Sequence, residues 1–177
     1  MVPFPEIYTN RLFLRQIVKE DQEHIFKGLS HPEVIKFYGV NYSTFEATLE
    51  QMRWYENLEK SGSGIWWAIW SETEGFMGAI GFNDLIKEHR KAELGFWLMP
   101  RFWRKGYLTE AAREVLNYGF GDLKLHRIEA YVESKNIASA ITLKKLNFHH
   151  EGRMVDSEFK NGKFISVDIF SKIAAIG

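Results

Sequence analysis

The stretch Trp97-Leu98-Met99-Pro100-Arg101-Phe102-Trp103-Arg104-Lys105-Gly106-Tyr107-Leu108-Thr109-Glu110-Ala111-Ala112 holds the residue types best placed for chemistry. A strand stops at Met99-Pro100, a basic turn with one glycine follows, and an amphipathic helix begins. The start of a helix presents unpaired backbone N–H groups and the positive end of the helix dipole, so such a junction can hold phosphate. Gly106 admits a close or unusual backbone conformation, while Arg101, Arg104 and Lys105 add local positive charge. The same residues also fit a solvated basic turn that only caps a helix. The turn is not a P-loop, since no glycine-rich run ends in Gly-Lys-Ser/Thr, and it lacks the paired glycines of a dinucleotide fingerprint.

Other chemistries find little support. There are no cysteines, which excludes a thiol nucleophile, a thiolate metal site and a disulfide scaffold. His149-His150 would point to opposite faces of a strand, His126 sits at a strand boundary, and His24, His31 and His89 lack partners at ligand spacing. No metal is expected. No GxSxG elbow supports a serine hydrolase.

The elements that must carry the turn are readable from periodicity. Arg11 to Ile17 alternates imperfectly and predicts a first strand, and Asp21 to Leu29 predicts a helix closed by His31-Pro32. A second helix is predicted from Thr44, an N-cap candidate, to Lys60, with Phe45, Leu49, Met52 and Tyr55 as its buried stripe. Ser61-Gly62-Ser63-Gly64 stops it. Ile65–Trp70, Phe76–Leu85 and Ala92–Met99 predict three strands with short polar links, which favours an antiparallel meander. A helix at Thr109–Phe120 follows, with Leu108, Ala111, Ala112, Val115, Leu116 and Phe120 on one side. Then come a strand at His126–Val132, a helix at Ile137–Leu146, and strands at His149–Phe159 and Lys163–Ser171 joined by Asn161-Gly162, a hairpin signal. The order β-α-α-β-β-β-α-β-α-β-β predicts a mixed-sheet α/β layer architecture, with no linker or repeat to divide residues 1–177 into more than one domain.

Bulk composition narrows the partners. The chain has 177 residues, 45% of them hydrophobic and 15% aromatic, too apolar for disorder. Lysine plus arginine equals 23 and aspartate plus glutamate equals 23, so no long-range field draws the chain to nucleic acid or a membrane surface. The opening Met1-Val2-Pro3-Phe4-Pro5-Glu6 has no secretory pattern, and the apolar run Ile65–Trp70 falls far short of the ~20 residues that span a bilayer. A soluble, cytoplasmic protein is predicted. Asn41-Tyr42-Ser43 is then a chance glycosylation triplet.

Against this background the run from Trp103 to Phe120 resembles the pyrophosphate-binding motif of the GNAT N-acetyltransferases, most closely the branch that acetylates ribosomal-protein N-termini. Trp103, Arg104, Lys105, Gly106, Tyr107, Leu108, Thr109, Glu110 and Ala111 fill the motif, with Arg104 and Leu108 replacing smaller residues. The resemblance continues through Leu125–Ala130, Glu133–Ala140 and Lys145–Gly152, and reaches back to Thr9–Arg15. Asn147 stands where glycine is usual, a mild change because asparagine tolerates left-handed angles. The resemblance implies one acyl-CoA N-acyltransferase domain: a twisted, mostly antiparallel mixed sheet flanked by helices, with two central parallel strands splayed apart.

It also implies acetyl-CoA as cosubstrate and assigns roles by position. The pantetheine arm would pair with the edge at Phe96, Trp97 and Leu98, opposite Ala130–Val132, and Asn136 would bind it while capping a helix. The diphosphate would lie over Arg104–Thr109, with Arg101 nearby. Glu93 would take the proton of the acceptor amine, with Glu129 and Glu133 as weaker rivals and Glu110 structural. Ordinary surface pairing of Glu93 with Arg90 or Lys91 is the competing reading. Ser139, where this branch places a hydroxyl near the CoA sulfur, would assist the departing thiolate; the family's tyrosine position is occupied by Leu143, which cannot transfer a proton and leaves that task to Ser139 or water. Backbone N–H groups near Leu98 would support the developing oxygen charge.

The acceptor side is expected in the aromatic material outside the motif: Phe37, Tyr38, Tyr42, Trp54 and Tyr55. Phe37, Tyr38 and Trp54 are the substrate-binding candidates, and Tyr55 fits the core at least as well. The branch resemblance favours a protein or peptide N-terminus over a small-molecule amine. A catalytically silent acyl-CoA-binding module is the rival from another class, and a second copy of the chain stays open as a partner.

Overall fold

The computed structural model describes residues 3–175 and contains one eight-stranded sheet. Its strands are β1 (Ile7–Tyr8), β2 (Phe13–Gln16), β3 (Ile65–Ser71), β4 (Gly75–Ile86), β5 (Lys91–Leu98), β6 (Arg127–Glu133), β7 (His149–Lys160) and β8 (Lys163–Ile173). They lie in the order β1-β2-β3-β4-β5-β6-β8-β7. The β5–β6 pair is parallel; the other neighbouring pairs run antiparallel.

Five α-helices cover the two faces: α1 (Gln22–Leu29), α2 (Pro32–Ile35), α3 (Leu49–Ser61), α4 (Tyr107–Gly121) and α5 (Ile137–Lys145). Side chains of a strand alternate between faces, so Trp67, Ile69, Leu94 and Leu98 pack with Ala111, Ala112 and Val115 of α4 and Leu143 of α5. Trp66, Ala68, Ala79 and Trp97 point the other way, onto Ile25 and Leu29 of α1 and Tyr55 and Leu58 of α3. The hairpin between β7 and β8 turns at Asn161-Gly162, both at positive φ (50° and 77°), as a tight hairpin turn demands.

The central feature is where the parallel pairing stops. β5 and β6 are registered at Lys91↔Arg127, Ala92↔Ile128 and Glu93↔Glu129, and no further. Beyond Glu93 each strand stays with its outer neighbour, β5 with β4 as far as Leu98↔Gly78 and β6 with β8 as far as Glu133↔Val167. The two strands therefore part, and a gap opens in the middle of the sheet.

Several elements differ from the sequence reading. β1 and α2 are too short to leave a periodic signal. The predicted helix Thr44–Lys60 is a 3₁₀ turn at Glu46–Thr48 followed by α3, with Thr44 Oγ1 capping the Ala47 N–H (3.2 Å). Its buried face is Thr48, Gln51, Tyr55 and Leu58, while Phe45 and Leu49 are exposed. Two polar residues occupy that face because each is satisfied: Thr48 Oγ1 donates to Thr44 O (3.2 Å), and Gln51 Oε1 accepts from the Tyr42 hydroxyl (3.0 Å). The stripe drawn from sequence therefore holds at Tyr55, which is buried, and Met52, which packs against the same cluster, and fails at Phe45 and Leu49.

Candidate active site

The basic turn is held by contacts from outside it. Trp103 donates its indole N–H to Leu98 O (2.7 Å), folding the turn back on the end of β5. Arg11 donates from Nη1 to Lys105 O (3.1 Å), from Nε to Glu110 (2.7 Å), and lies over the Tyr107 ring at 4.3 Å. Thr9 donates to the same Glu110 carboxylate (2.6 Å). Burial would raise the Glu110 pKa, but the hydrogen bonds from Thr9 and Arg11 bring it below the ordinary value, so Glu110 is an anchor for the turn. Nothing in the sequence marks Arg11, almost a hundred residues away, as part of this site.

Gly106 is the N-cap of α4 at φ 80°, and Arg104 is also left-handed at φ 61°. Gly106 brings no side chain to cap α4, and Glu110 N–H is bonded to Gly106 O (3.0 Å). The N–H groups ahead of Glu110 are the ones a helix start leaves unpaired. The exposed side chains of Arg101, Arg104 and Lys105 surround this end. Such a cluster of aimed donors and cations fits a diphosphate.

The gap between β5 and β6 presents a half-used strand edge. Met99 N–H bonds to Met77 O on the β4 side (2.9 Å), and antiparallel alternation then turns the Trp97 backbone toward β4 and those of Phe96 and Leu98 toward the gap. Leu98 C=O is taken by Trp103, which leaves Leu98 N–H and both Phe96 groups facing the gap. Trp97 is not brought to it: its backbone faces Ala79, and its buried side chain donates to the Tyr55 hydroxyl (3.5 Å). Across the gap, Asn136 caps α5 by accepting from Ser139 N–H (3.2 Å). Asn136 and Ser139 both line the cavity, whereas Leu143 is fully buried in the core.

That cavity measures about 450 Å³ and has Glu93 at the fork of the two strands. Burial pushes the Glu93 pKa up to about 7, helped by the charge and hydrogen bond of Asp84, partly offset by Asn83, and raised further by Glu129. Asp84 sits at φ 49° in the irregularity that interrupts the β4–β5 register after Asn83. The surface pairing of Glu93 with Lys91 does not form, because Lys91 binds Glu129 (3.3 Å) instead. Burial raises Glu129 too, but hydrogen bonds from Arg127 (2.6 Å) and Lys91 outweigh it and hold the group low. Glu133 is bonded to Lys160. Glu93 is the carboxylate at the fork with no cation on it among the described residues.

Phe37, Tyr38 and Trp54 line the same cavity from the opposite wall, joined by Trp66 and Tyr42. The Trp54 ring stands edge-on to Trp66 (5.5 Å) and tilted against Tyr55 (5.3 Å). A Cβ on Gly95 would fall 2.6 Å from the Trp66 ring, so only glycine there leaves Trp66 its place. Burial first, then Tyr55 and Glu93, raise the Tyr38 hydroxyl well above its usual pKa. Sequence reasoning did not find Trp66, Asp84 or Lys160; Tyr131, within the strand Ala130–Val132 expected across the gap, does line the cavity, and its hydroxyl donates to Glu129 (3.3 Å). Among the described residues no group of His, Cys, Asp or Glu could hold a metal, and no helix is long and apolar enough to cross a membrane.

A family model described as an acetyltransferase (GNAT) domain matches residues 11–149. The uncharacterized N-acetyltransferase YoaA of Bacillus subtilis is 36% identical over 170 residues, covering 95% of this chain and 96% of that protein. Spermidine N(1)-acetyltransferase of Escherichia coli K12 is 24% identical over 151 residues, 85% of this chain and 80% of that one. Among solved structures, a ribosomal-protein-alanine acetyltransferase from Vibrio fischeri shares the fold with a TM-score of 0.84 at 19% identity, covering 96% of each chain. The spermidine N-acetyltransferase of Vibrio cholerae, solved with CoA and spermine, gives 0.83 at 21% identity, covering 93% of this chain and 96% of that chain.

Proposed function

This chain belongs to the acetyltransferase (GNAT) family, and on that premise we propose that it acetylates the N-terminal amine of a protein or peptide by direct attack. Acetyl-CoA supplies the activated acetyl group as a thioester. The unpaired N–H groups at the start of α4 hold the diphosphate, and the free backbone groups of Phe96, with Asn136, hold the pantetheine arm. Glu93 takes the ammonium proton so that the amine lone pair can attack. Leu98 N–H supports the developing oxygen charge, and as the C–S bond breaks the Ser139 hydroxyl gives a proton to the departing thiolate and is restored by the proton that the acylated nitrogen sheds.

The observation that carries this reading is the parting of β5 and β6 just beyond an uncompensated Glu93. The choice of acceptor follows from charge inside the chamber. Glu129 and Glu133 are already paired with cations, so Glu93 meets a single ammonium against aromatic walls. A peptide N-terminus offers one ammonium. Glu50 and Glu158 at the exposed rim favour a second acceptor class, a polyamine, whose further cations they would meet. The test follows free thiol released from acetyl-CoA with short peptides, the same peptides with blocked N-termini, and spermidine. Turnover confined to free-N-terminal peptides is expected. Turnover of spermidine alone would replace the peptide by the polyamine.

A further inference from the structure

We propose that Lys160 is a positioning residue for the acceptor, tying together the walls of the chamber around Glu93. The proposal rests on the reading that this chamber receives the acceptor amine. Lys160 ends β7 at the tip of the hairpin, opposite Lys163. Its ammonium donates to Lys36 O (3.2 Å), to Tyr38 O (3.1 Å) and to the Glu133 carboxylate, from a side chain only 22% exposed. Three donors thus meet three acceptors, two on the loop after α2 and one at the end of β6.

No other described hydrogen bond links that loop to the strands beyond the gap. Tyr38 N–H bonds to Ile35 O (3.3 Å), Tyr42 N–H to Leu29 O (3.0 Å), and the Tyr42 hydroxyl to Gln51, all within the helical wall. The gap itself has no backbone ladder across it, since β5 and β6 stop pairing at Glu93. Lys160 therefore supplies the cross-tie that the sheet gives up when its strands part.

Two consequences reach the reacting amine. Pinning the Tyr38 carbonyl fixes the loop that carries the Phe37 and Tyr38 rings, which wall the same cavity as Glu93. Occupying Glu133 removes a competing carboxylate from the chamber wall, so an incoming ammonium is drawn to Glu93 rather than to a site where no transfer can follow. A partly buried carboxylate stripped of its cation would become such a decoy.

The test compares wild type, Lys160→Met, which keeps the apolar stem, and Lys160→Arg, which keeps the charge. Amide hydrogen exchange over residues 37–42 reads the tie without any acceptor, and is expected to quicken about tenfold in Lys160→Met. With a short free-N-terminal peptide, or spermidine if the panel selects it, the acceptor KM should rise about tenfold, with kcat changing less and acetyl-CoA affinity unchanged. Lys160→Arg should recover part of both effects. Unaltered exchange in Lys160→Met would overturn the tie, and faster exchange with an unaltered acceptor KM would overturn the positioning role. If Lys160→Met does not fold, Glu133→Gln loosens the same tie without leaving a bare carboxylate, so faster exchange over residues 37–42 with a smaller rise in acceptor KM is expected, and unaltered exchange would overturn the tie. Failure of the broader reading shows elsewhere, as a Glu93→Gln protein with wild-type turnover.

Discussion

The turn proposed to hold acetyl-CoA and the chamber proposed to receive the amine lie at opposite ends of the parted length of β5, one after Leu98 and the other around Glu93, and they are built from different material. The turn is contiguous, Trp103 to Thr109, with left-handed residues at Arg104 and Gly106, and on the proposed reading it binds through backbone N–H groups. The chamber is lined by side chains drawn from the loop at 37–42, α3, β3, β5, β6 and the β7–β8 hairpin, and on the proposed reading they select the acceptor. A site made of backbone tolerates changes of side chain, which is how Arg104 and Leu108 can stand where smaller residues are usual. A site made of side chains has no such tolerance, so acceptor choice can diverge while the cosubstrate stays the same.

The largest effect should come at the fork that heads the chamber. Glu93→Gln should lower turnover by about 10²–10⁴-fold while acetyl-CoA affinity holds. Because Glu93 titrates at about 7, it is protonated and unable to accept a proton below that pH. Wild-type kcat/KM should rise through this range; the variant should lack that limb, its deficit shrinking at high pH as free amine appears. Asp84→Asn should move the limb to lower pH by removing the neighbouring charge. Stability gives an independent sign. A carboxyl raised from 4.5 to about 7 binds more protons folded than unfolded between those values, so the native state loses stability as pH rises through them. Glu93→Gln should therefore melt higher than wild type well above pH 7 and lose that advantage below 4.5. Equal pH profiles for wild type and variant would reassign Glu93 as structural.

A second comparison separates backbone from side chain within the turn. A Cβ on Gly106 would meet only Arg11, at an ordinary 3.5 Å, so crowding is not what requires glycine. The requirement is φ 80°, a conformation that costs other residues about 1–2 kcal/mol. Gly106→Val should weaken CoA binding roughly tenfold by calorimetry, through a displaced turn. Arg104→Ala should matter less, since it removes a charge and leaves the backbone donors. Comparable losses for the two would mean that the turn binds through its cations.

The same division explains what could be read from sequence. The β3–β4–β5 meander, α4 and the Asn161-Gly162 hairpin follow from local periodicity and turn chemistry, and the donor turn follows from one unbroken motif. The buried face of α3 is only half legible, at Met52 and Tyr55, because Thr48 and Gln51 are buried and satisfied by partners that a hydrophobic pattern does not register. Phe37, Tyr38 and Trp54 could be proposed as aromatics outside the motif. Lys160, Asp84 and Arg11 could not, because each acts on a residue brought near only by the folded sheet, and each has an ordinary surface neighbourhood in sequence. Trp66 hid in the run Ile65–Trp70, which reads as strand core.

Ser139 tests the donor side from across the gap. Its hydroxyl reaches the cavity from α5, whose end is set by Asn136. Ser139→Ala should slow turnover about tenfold, at the low end of an acid–base contribution because water can replace the hydroxyl, and should leave the limb set by Glu93 where it is. A shifted limb would show that Ser139 and Glu93 share one proton path.

The smallest expected effect bears most directly on the chamber. Trp54 is 37% exposed, packs on Trp66 and Tyr55, and lines the cavity. Its packing is incomplete, so truncation removes wall rather than core, and the fold should survive. An aromatic contact contributes about 0.5–1.5 kcal/mol beyond area burial, which corresponds to roughly two- to tenfold in acceptor KM. Trp54→Ala should raise that KM by such a factor, leave acetyl-CoA affinity unchanged, and barely alter kcat, because Trp54 touches neither the thioester site nor Glu93. Trp54→Phe should recover most of the loss by keeping a ring against Trp66. A change in acetyl-CoA affinity would mean that the wall and the turn are not independent, and the division between backbone-built donor site and side-chain-built acceptor site would have to be abandoned.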